Sequence, residues 1–283
     1  MEAFVKMKIN HVWAVYFSPT GTTKKVVSRL SQSIAQGLGA SWQEYCFNLP
    51  QSRQKDLSFG PSDLVILGVP VYAGRVPNQM LPFIRDQIHG SGTLAVPVVL
   101  FGNRNFDDGL MELRNALAAN GFHPITAGAF VGQHSFSEIL GAGRPDFQDM
   151  ELVRELAEKT IQKVLNVNEI RAAPVAVEGQ DPIRPYYIPK DSQGEPLKDF
   201  LKAKPVTDMK KCITCRLCAI NCPMGSINPE DVSQVVGKCI KCCSCIKDCP
   251  TGAKYFNSES FLYHRQDLEN RYAGVRAESR IFL

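Results

Sequence analysis

The chain has 283 residues, a formal net charge of +4 with histidine neutral, and 44% hydrophobic residues. A charge this mild gives no footing for nucleic acid, and the longest apolar stretch, residues 64–74, is too short to span a bilayer. The first ten residues lack the apolar core and cleavage site of a secretory leader, so a soluble, cytoplasmic protein with room for two domains is expected.

In chain order, apolar runs at residues 11–17, 64–71, 94–101 and 125–131 are continuous, with a weaker strand at 41–47. Continuous runs suit strands of a parallel sheet covered on both faces. Between them Val26, Leu30, Ile34 and Leu38 form one helical stripe, Met80, Ile84 and Ile88 another, and Leu110, Leu113 and Leu117 a third that Asn120-Gly121 stops. A last helix is expected over residues 146–167, capped by Asp146, with Met150, Val153, Ile161 and Leu165 facing inward. Residues 1–170 therefore read as a doubly wound α/β domain with a five-stranded parallel sheet. Six prolines punctuate the next stretch, residues 171–205, a semi-rigid connector. A cysteine-rich segment, residues 206–257, follows. The tail, residues 258–283, can form an amphipathic helix through Phe261, Leu262, Leu268 and Tyr272.

After the first strand the chain reads Ser18-Pro19-Thr20-Gly21-Thr22-Thr23 and opens into a helix. Hydroxyls and amides around a glycine at a helix N-terminus suit a phosphate, and no P-loop lysine is present, so a single terminal phosphate fits better than a triphosphate. Helix capping alone is the other explanation of the same residues. Two further loops fall at carboxyl ends of strands, where open α/β sheets bind ligands: Pro70-Val71-Tyr72-Ala73-Gly74-Arg75 and Gly102-Asn103-Arg104-Asn105-Phe106-Asp107. The first of the three loops resembles that of flavodoxins. The resemblance implies an FMN phosphate held by Ser18, Thr20, Gly21, Thr22 and Thr23. It also implies a flavin ring beside Pro70, Val71, Tyr72, Gly74, Gly102, Asn103, Arg104, Asn105 and Phe106. Tyr72 and Phe106 are the stacking candidates, although an aromatic here can equally finish the core. Arg75 and Arg104 bring cations that would stabilise a reduced flavin anion. In the long loop after the fifth strand, His134 is a candidate proton donor and Arg144 a candidate anion holder, with a plain surface role the alternative for the histidine. Residues 90–95 match G-x-G-x-x-A but precede a strand, so no NAD(P) site is expected.

Eight of the ten cysteines form two copies of C-x2-C-x2-C-x3-C-P: Cys212, Cys215, Cys218, Cys222 and Cys239, Cys242, Cys245, Cys249. Structural zinc would leave the third cysteine of each run unused, and disulfide frameworks belong to secreted chains. The spacing is that of bacterial ferredoxins with two [4Fe-4S] clusters. It implies a small α+β ferredoxin-like domain and a crossed ligand assignment. One cluster would take Cys212, Cys215, Cys218 and Cys249, the other Cys239, Cys242, Cys245 and Cys222. Cys243 and Cys46 are out of register and suit packing.

The whole chain resembles the fused flavodoxin and ferredoxin proteins of anaerobic bacteria and archaea. The resemblance implies an electron-transfer protein that couples one-electron carriers to two-electron flavin chemistry through two clusters and FMN. A flavin-dependent reductase of a small organic substrate, fed by its own clusters, is the alternative, and a redox-responsive interaction module a third reading. The expected partner is a redox protein. The seven lysines and arginines of residues 206–257 either offset the clusters or form a docking face for an acidic one.

Overall fold

The computed structural model describes residues 8–166 and 173–283. The chain start, the expected helix end at Val167 and the domain boundary at residue 170 lie outside the described residues.

Eleven strands are described: β1 (His11–Tyr16), β2 (Ser41–Cys46), β3 (Leu57–Phe59), β4 (Asp63–Pro70), β5 (Ile88–Gly90), β6 (Thr93–Phe101), β7 (Phe122–Pro124), β8 (Ala127–Val131), β9 (Val206–Thr207), β10 (Lys254–Tyr255) and β11 (Arg280–Phe282). Among the described residues the α-helices are α1 (Thr22–Leu38), α2 (Leu81–Gln87), α3 (Gly109–Ala119), α4 (Phe147–Leu165), α5 (Leu217–Ile220), α6 (Ser244–Lys247) and α7 (Glu259–Tyr272). The main sheet runs β2-β1-β4-β6-β8, all parallel, which is the flavodoxin-like strand order. β7 adds a short parallel pairing to β6, and β3 pairs with β5 outside the sheet.

Burial follows from helices on both faces. All nine residues of β6 are buried, whereas edge strand β2 is mostly open. Successive residues of β1 serve opposite cores: Val15 packs under α2 and α3 with Leu110 and Leu113, while Ala14 packs under α1 and α4 with Leu30 and Leu156. α1 lies close on the sheet because β4 carries Gly68, where a Cβ would stand 2.3 Å from Val27 Cγ2. α4 begins as expected, with a capping box between Asp146 and Asp149. α3 stops at Asn120, whose side-chain amide donates to the carbonyls of Ile84, Arg85 and Ile88.

The two cysteine motifs fold alike. Helices α5 and α6 occupy equivalent positions, and left-handed residues recur in step: Thr214 and Lys241 (φ 52° and 57°), Arg216 and Cys243 (both 62°), Gly225 and Gly252 (60° and 62°). β9 pairs antiparallel with β10, and an Ile227–Val235 bridge closes the equivalent ribbon.

The tail contains the expected helix, α7, but it also ends in a strand that the sequence reading does not anticipate. β11 pairs antiparallel with β8 and caps the exposed sheet edge. Its partners lie about 150 residues earlier, so no local pattern signals it. Among the described residues no helix is long and apolar enough to cross a membrane.

Candidate functional site

β1 has β2 on one side and β4 on the other, so the chain switches direction across the sheet there and leaves a crevice at the strands' carboxyl ends. The first loop borders it. The Ser18 amide donates to Asn48 Oδ1 at 2.6 Å, Asn48 Nδ2 donates back to the Ser18 carbonyl at 3.0 Å, and the Ser18 hydroxyl accepts the Lys24 amide at 2.9 Å. The capping explanation thus holds for the Ser18 hydroxyl. Thr20, Gly21 and Thr22 remain at the surface and Thr23 is buried. At Gly21 (φ 82°) nothing lies within 4 Å of where a Cβ would stand, leaving open space over the start of α1. Its geometry fits a terminal phosphate on the helix N-terminus. Asn48, which shapes this loop, carries no motif and is recognisable only from its position just past β2.

The second loop turns tightly. Pro70 ends β4, the Val71 amide donates to the Leu100 carbonyl at 2.7 Å, and Tyr72 and Arg75 exchange backbone hydrogen bonds at 2.9 and 3.1 Å. Ala73 and Gly74 supply the positive φ that such a turn requires, and a Cβ on Gly74 would meet Asp107 Oδ2 at 2.8 Å. Tyr72 faces the cysteine motifs. Burial pushes its hydroxyl well above the usual range, and neighbouring Cys242, Cys243 and Cys239 add to the effect.

Several predicted contacts resolve differently. Arg75 donates to the buried Glu112 and stacks 4.2 Å from the Tyr186 ring centroid, so its charge is spent within the protein. In the third loop Gly102 is covered by His134, Asn105 is exposed, and Arg104 pairs with Asp107 under the Tyr187 ring. The Asn103 side chain holds the tail, donating to the carbonyls of Tyr272 and Val275 and accepting the Ala277 amide. Phe106 is 4% exposed and packs against Phe101 and Phe282 as part of the core, not as a lid. Arg144 likewise binds no free anion, because its guanidinium forms a buried two-pronged pair with Asp149 and reaches the Ala277 carbonyl. The partners of Arg75, Asn103 and Phe106 come from segments tens to more than a hundred residues away, whereas Arg104 and Arg144 are held by carboxylates three and five residues on.

His134 sits beside Phe136 and near His264 of α7, whose Nδ1 is buried without a hydrogen-bond partner. Burial pushes both imidazoles down to about 4, with Arg104 adding to the depression in each. They are neutral at pH 7, so His134 carries no acidic proton there. Between about pH 6.5 and 4 the unfolded chain binds more protons than the folded one, so stability is full above pH 6.5 and falls as pH drops. Urea midpoints at pH 7.5 and 4.5 should differ clearly in the native chain and less in a His264→Phe variant.

The connector proves to be a strap. Arg184 pairs with the buried Asp108 carboxylate, which also accepts the Gln180 and Arg184 amides. Tyr186 donates its hydroxyl to the Val76 carbonyl, and the Tyr187 amide donates to the Ala73 carbonyl. Arg184 holds Asp108 down at about 2, so the clasp persists until pH falls from about 4 towards 2. An Asp108→Ala variant should expose residues 173–190 to protease roughly tenfold faster or more, since hydrogen bonds to a charged group are each worth about 1.5–3 kcal/mol. The paired tyrosines in a proline-rich run are the one sequence signal for this docking.

The eight motif cysteines separate into two cavities, four to each. Cys212, Cys215, Cys218 and Cys249 line one, and Cys222, Cys239, Cys242 and Cys245 line the other. Each motif therefore sends its last cysteine across to the other. Among the described residues no three or more His, Cys, Asp or Glu are grouped to hold a single metal ion. The Ser226 amide donates to Cys222 Sγ at 3.4 Å and the equivalent Ala253 amide to Cys249 Sγ at 3.2 Å, a donor pattern suited to thiolates. Burial pushes Cys242 up to about 12, so only a cationic partner would keep it ionised at neutral pH. Four motif thiols per cavity, with Cys243 also on the lining of the second, fit an iron-sulfur group.

The second cavity lies against the flavodoxin-like half. Met224 and Ile240 pack onto its core, Arg53 donates to the Pro223 carbonyl at 2.6 Å, and Lys247 pairs with Glu138. Phe136, Phe200, Phe256 and Phe261 join around Cys243, tying long loop, strap, cysteine motifs and tail into one cluster. Cys243 is thus a packing residue. Cys46 is exposed at the end of β2.

A family model described as a flavodoxin domain matches residues 14–105. Among solved structures the chain is similar to a flavodoxin from the domain Archaea, at 13% identity and a TM-score of 0.40, covering 54% of this chain and 98% of that one. A flavodoxin of Streptococcus pneumoniae TIGR4 aligns at 17% identity and a TM-score of 0.40, covering 54% and 99% respectively. The rubredoxin oxygen:oxidoreductase of the anaerobe Desulfovibrio gigas aligns at 16% identity and a TM-score of 0.42, covering 59% of this chain and 38% of that one. No curated protein sequence matches the chain. The fold is a flavodoxin-like α/β fold with a mostly parallel sheet, and residues 14–105 carry the flavodoxin-like domain.

Proposed function

We propose that the chain is an electron-transfer protein that holds FMN in its flavodoxin-like half and two [4Fe-4S] clusters in a ferredoxin-like half. The observation that carries this reading is the division of eight cysteines into two four-thiol cavities, one of them beside Tyr72. When bound, the clusters supply one-electron steps and the flavin one- or two-electron steps. Thr20, Gly21, Thr22 and Thr23 would hold the phosphate, and the turn at Tyr72 would border the ring. The strap fixes that turn by backbone hydrogen bonds, and the aromatic cluster around Cys243 excludes water between the halves.

Tyr72, on the turn that would border the ring, has Cys239, Cys242 and Cys243 as electrostatic neighbours, which supports a conduit over a reductase of a free substrate. The first cavity has apolar and thiol groups of its lining in solvent. Ile213 and Leu217 on its lining are 61% and 39% exposed, and Cys215 is exposed as well. A redox partner protein would exchange electrons there.

Anaerobic reconstitution with FMN, iron and sulfide tests the reading. About eight irons and one flavin per chain are expected, with flavin reduction by a one-electron donor depending on the clusters. Fewer irons with intact cysteines, or flavin reduction at an unchanged rate in cluster-free protein, would refute it.

A further inference from the structure

The duplicated motif provides its own comparison, because equivalent positions lie 27 residues apart, as Cys212 and Cys239 do. The backbone keeps the equivalence through the recurring left-handed residues. Two buried lysines break it in charge. Lys254 lines the first cavity, is 2% exposed and donates through Nζ to the Val232 carbonyl at 2.6 Å. Its counterpart lining the second cavity is Ile227, also buried. Lys241, between Cys239 and Cys242, is 7% exposed and donates through Nζ to the Leu201 carbonyl at 3.0 Å, 5.2 Å from the Phe200 ring centroid. Its counterpart in the first motif is the exposed Thr214.

Lysine is almost never fully buried unless an anion compensates it. Neither ammonium has a carboxylate within ion-pair distance among the described contacts. Lys254 acts electrostatically on Cys218, Cys245 and Asp231, and Lys241 on Cys239. Neutral thiols would leave Lys254 only the Asp231 carboxylate, beyond ion-pair distance, and Lys241 no carboxylate at all among its described interactions. Four thiolates around an oxidised [4Fe-4S] core carry a net negative charge, which grows by one on reduction. A buried cation stabilises the reduced form more than the oxidised one, because its field is weakly screened there.

We propose, on the basis of the two-cluster reading above, that Lys254, on the lining of the first cavity, and Lys241, between two cysteines that line the second, are positioning residues in the electrostatic sense, each raising chiefly the reduction potential of the cluster nearest to it. Because they occupy non-equivalent positions of the repeat, the two potentials are set separately. An electron can then distinguish the outer cluster from the one beside Tyr72, although the ligands and their spacing are identical.

The test uses full-length, anaerobically reconstituted protein and follows the two cluster signals by spectroscopic redox titration, with Cys222→Ser identifying the signal of the second cavity. Lys254→Met should lower the midpoint potential of the first-cavity signal, Lys241→Met that of the second-cavity signal, and Lys254→Arg and Lys241→Arg should keep both near the native values. Unchanged potentials, or both methionine variants shifting the same signal, would overturn the proposal. If methionine impairs assembly, Lys254→Gln and Lys241→Gln remove the same charges and are judged by the same criteria. A native chain that takes up no iron would instead refute the two-cluster reading, and is seen before any potential is measured.

Discussion

Replacing Cys222 together with Cys239 by serine should leave about four irons per chain, whereas replacing Cys222 together with Cys212 should leave almost none. The contrast follows from the crossed cavities. Cys222 shares a cavity with Cys239, Cys242 and Cys245, so the first pair of changes damages one site and the second damages both. If each motif instead held its own cluster, the two variants would exchange results. Iron and sulfide analysis after anaerobic reconstitution reads the difference directly. In the Cys222→Ser/Cys239→Ser protein the surviving cluster is the outer one, and reduction of bound flavin by a one-electron protein donor should fall by orders of magnitude. The stepping stone beside Tyr72 is then missing.

Asp149→Ala should cost about 3–5 kcal/mol of folding stability, the range for removing one partner of a buried ion pair. The Asp149 and Arg144 side chains are 2% and 5% exposed, so the arginine left behind would keep a buried charge with only the partly exposed Asp146, 3.5 Å away, to offset it. The same carboxylate accepts the Ser279 hydroxyl at 2.6 Å and the Asp146 amide at 2.8 Å, and so joins the tail, the long loop and the start of α4. Urea unfolding measures the loss. A paired Arg144→Met/Asp149→Leu replacement should cost less than Asp149→Ala alone, because it removes both charges and keeps apolar volume. Equal losses in the two variants would locate the effect in the Ser279 and cap hydrogen bonds instead of the stranded charge.

The legible parts of the molecule were those whose signals are local. Continuous apolar runs marked the central strands to within a residue or two, since a strand covered on both faces needs no alternation, as β6 illustrates. Asp146 announced α4 because a cap and its acceptor lie three residues apart. The first loop could be read from the order of Ser18, Thr20, Gly21 and Thr22, because a glycine with φ 82° before a helix is a local requirement. Less legible were residues whose roles depend on distant partners. Arg75 looked like a free cation beside a ligand, yet Glu112, 37 positions on, holds it. Phe106 looked like a lid and is covered by Phe282, 176 positions later in the chain.

By itself the sequence determined the kind of chemistry the cysteines can support and the alternation that builds a parallel sheet, since both rest on spacings of a few residues. Only the tertiary structure decided which cavity meets Tyr72, and that the connector and tail clasp the loops of the crevice. Those choices are contacts between segments tens to more than a hundred residues apart. They are set by burial and hydrogen-bond satisfaction in the folded chain, and no local pattern encodes them.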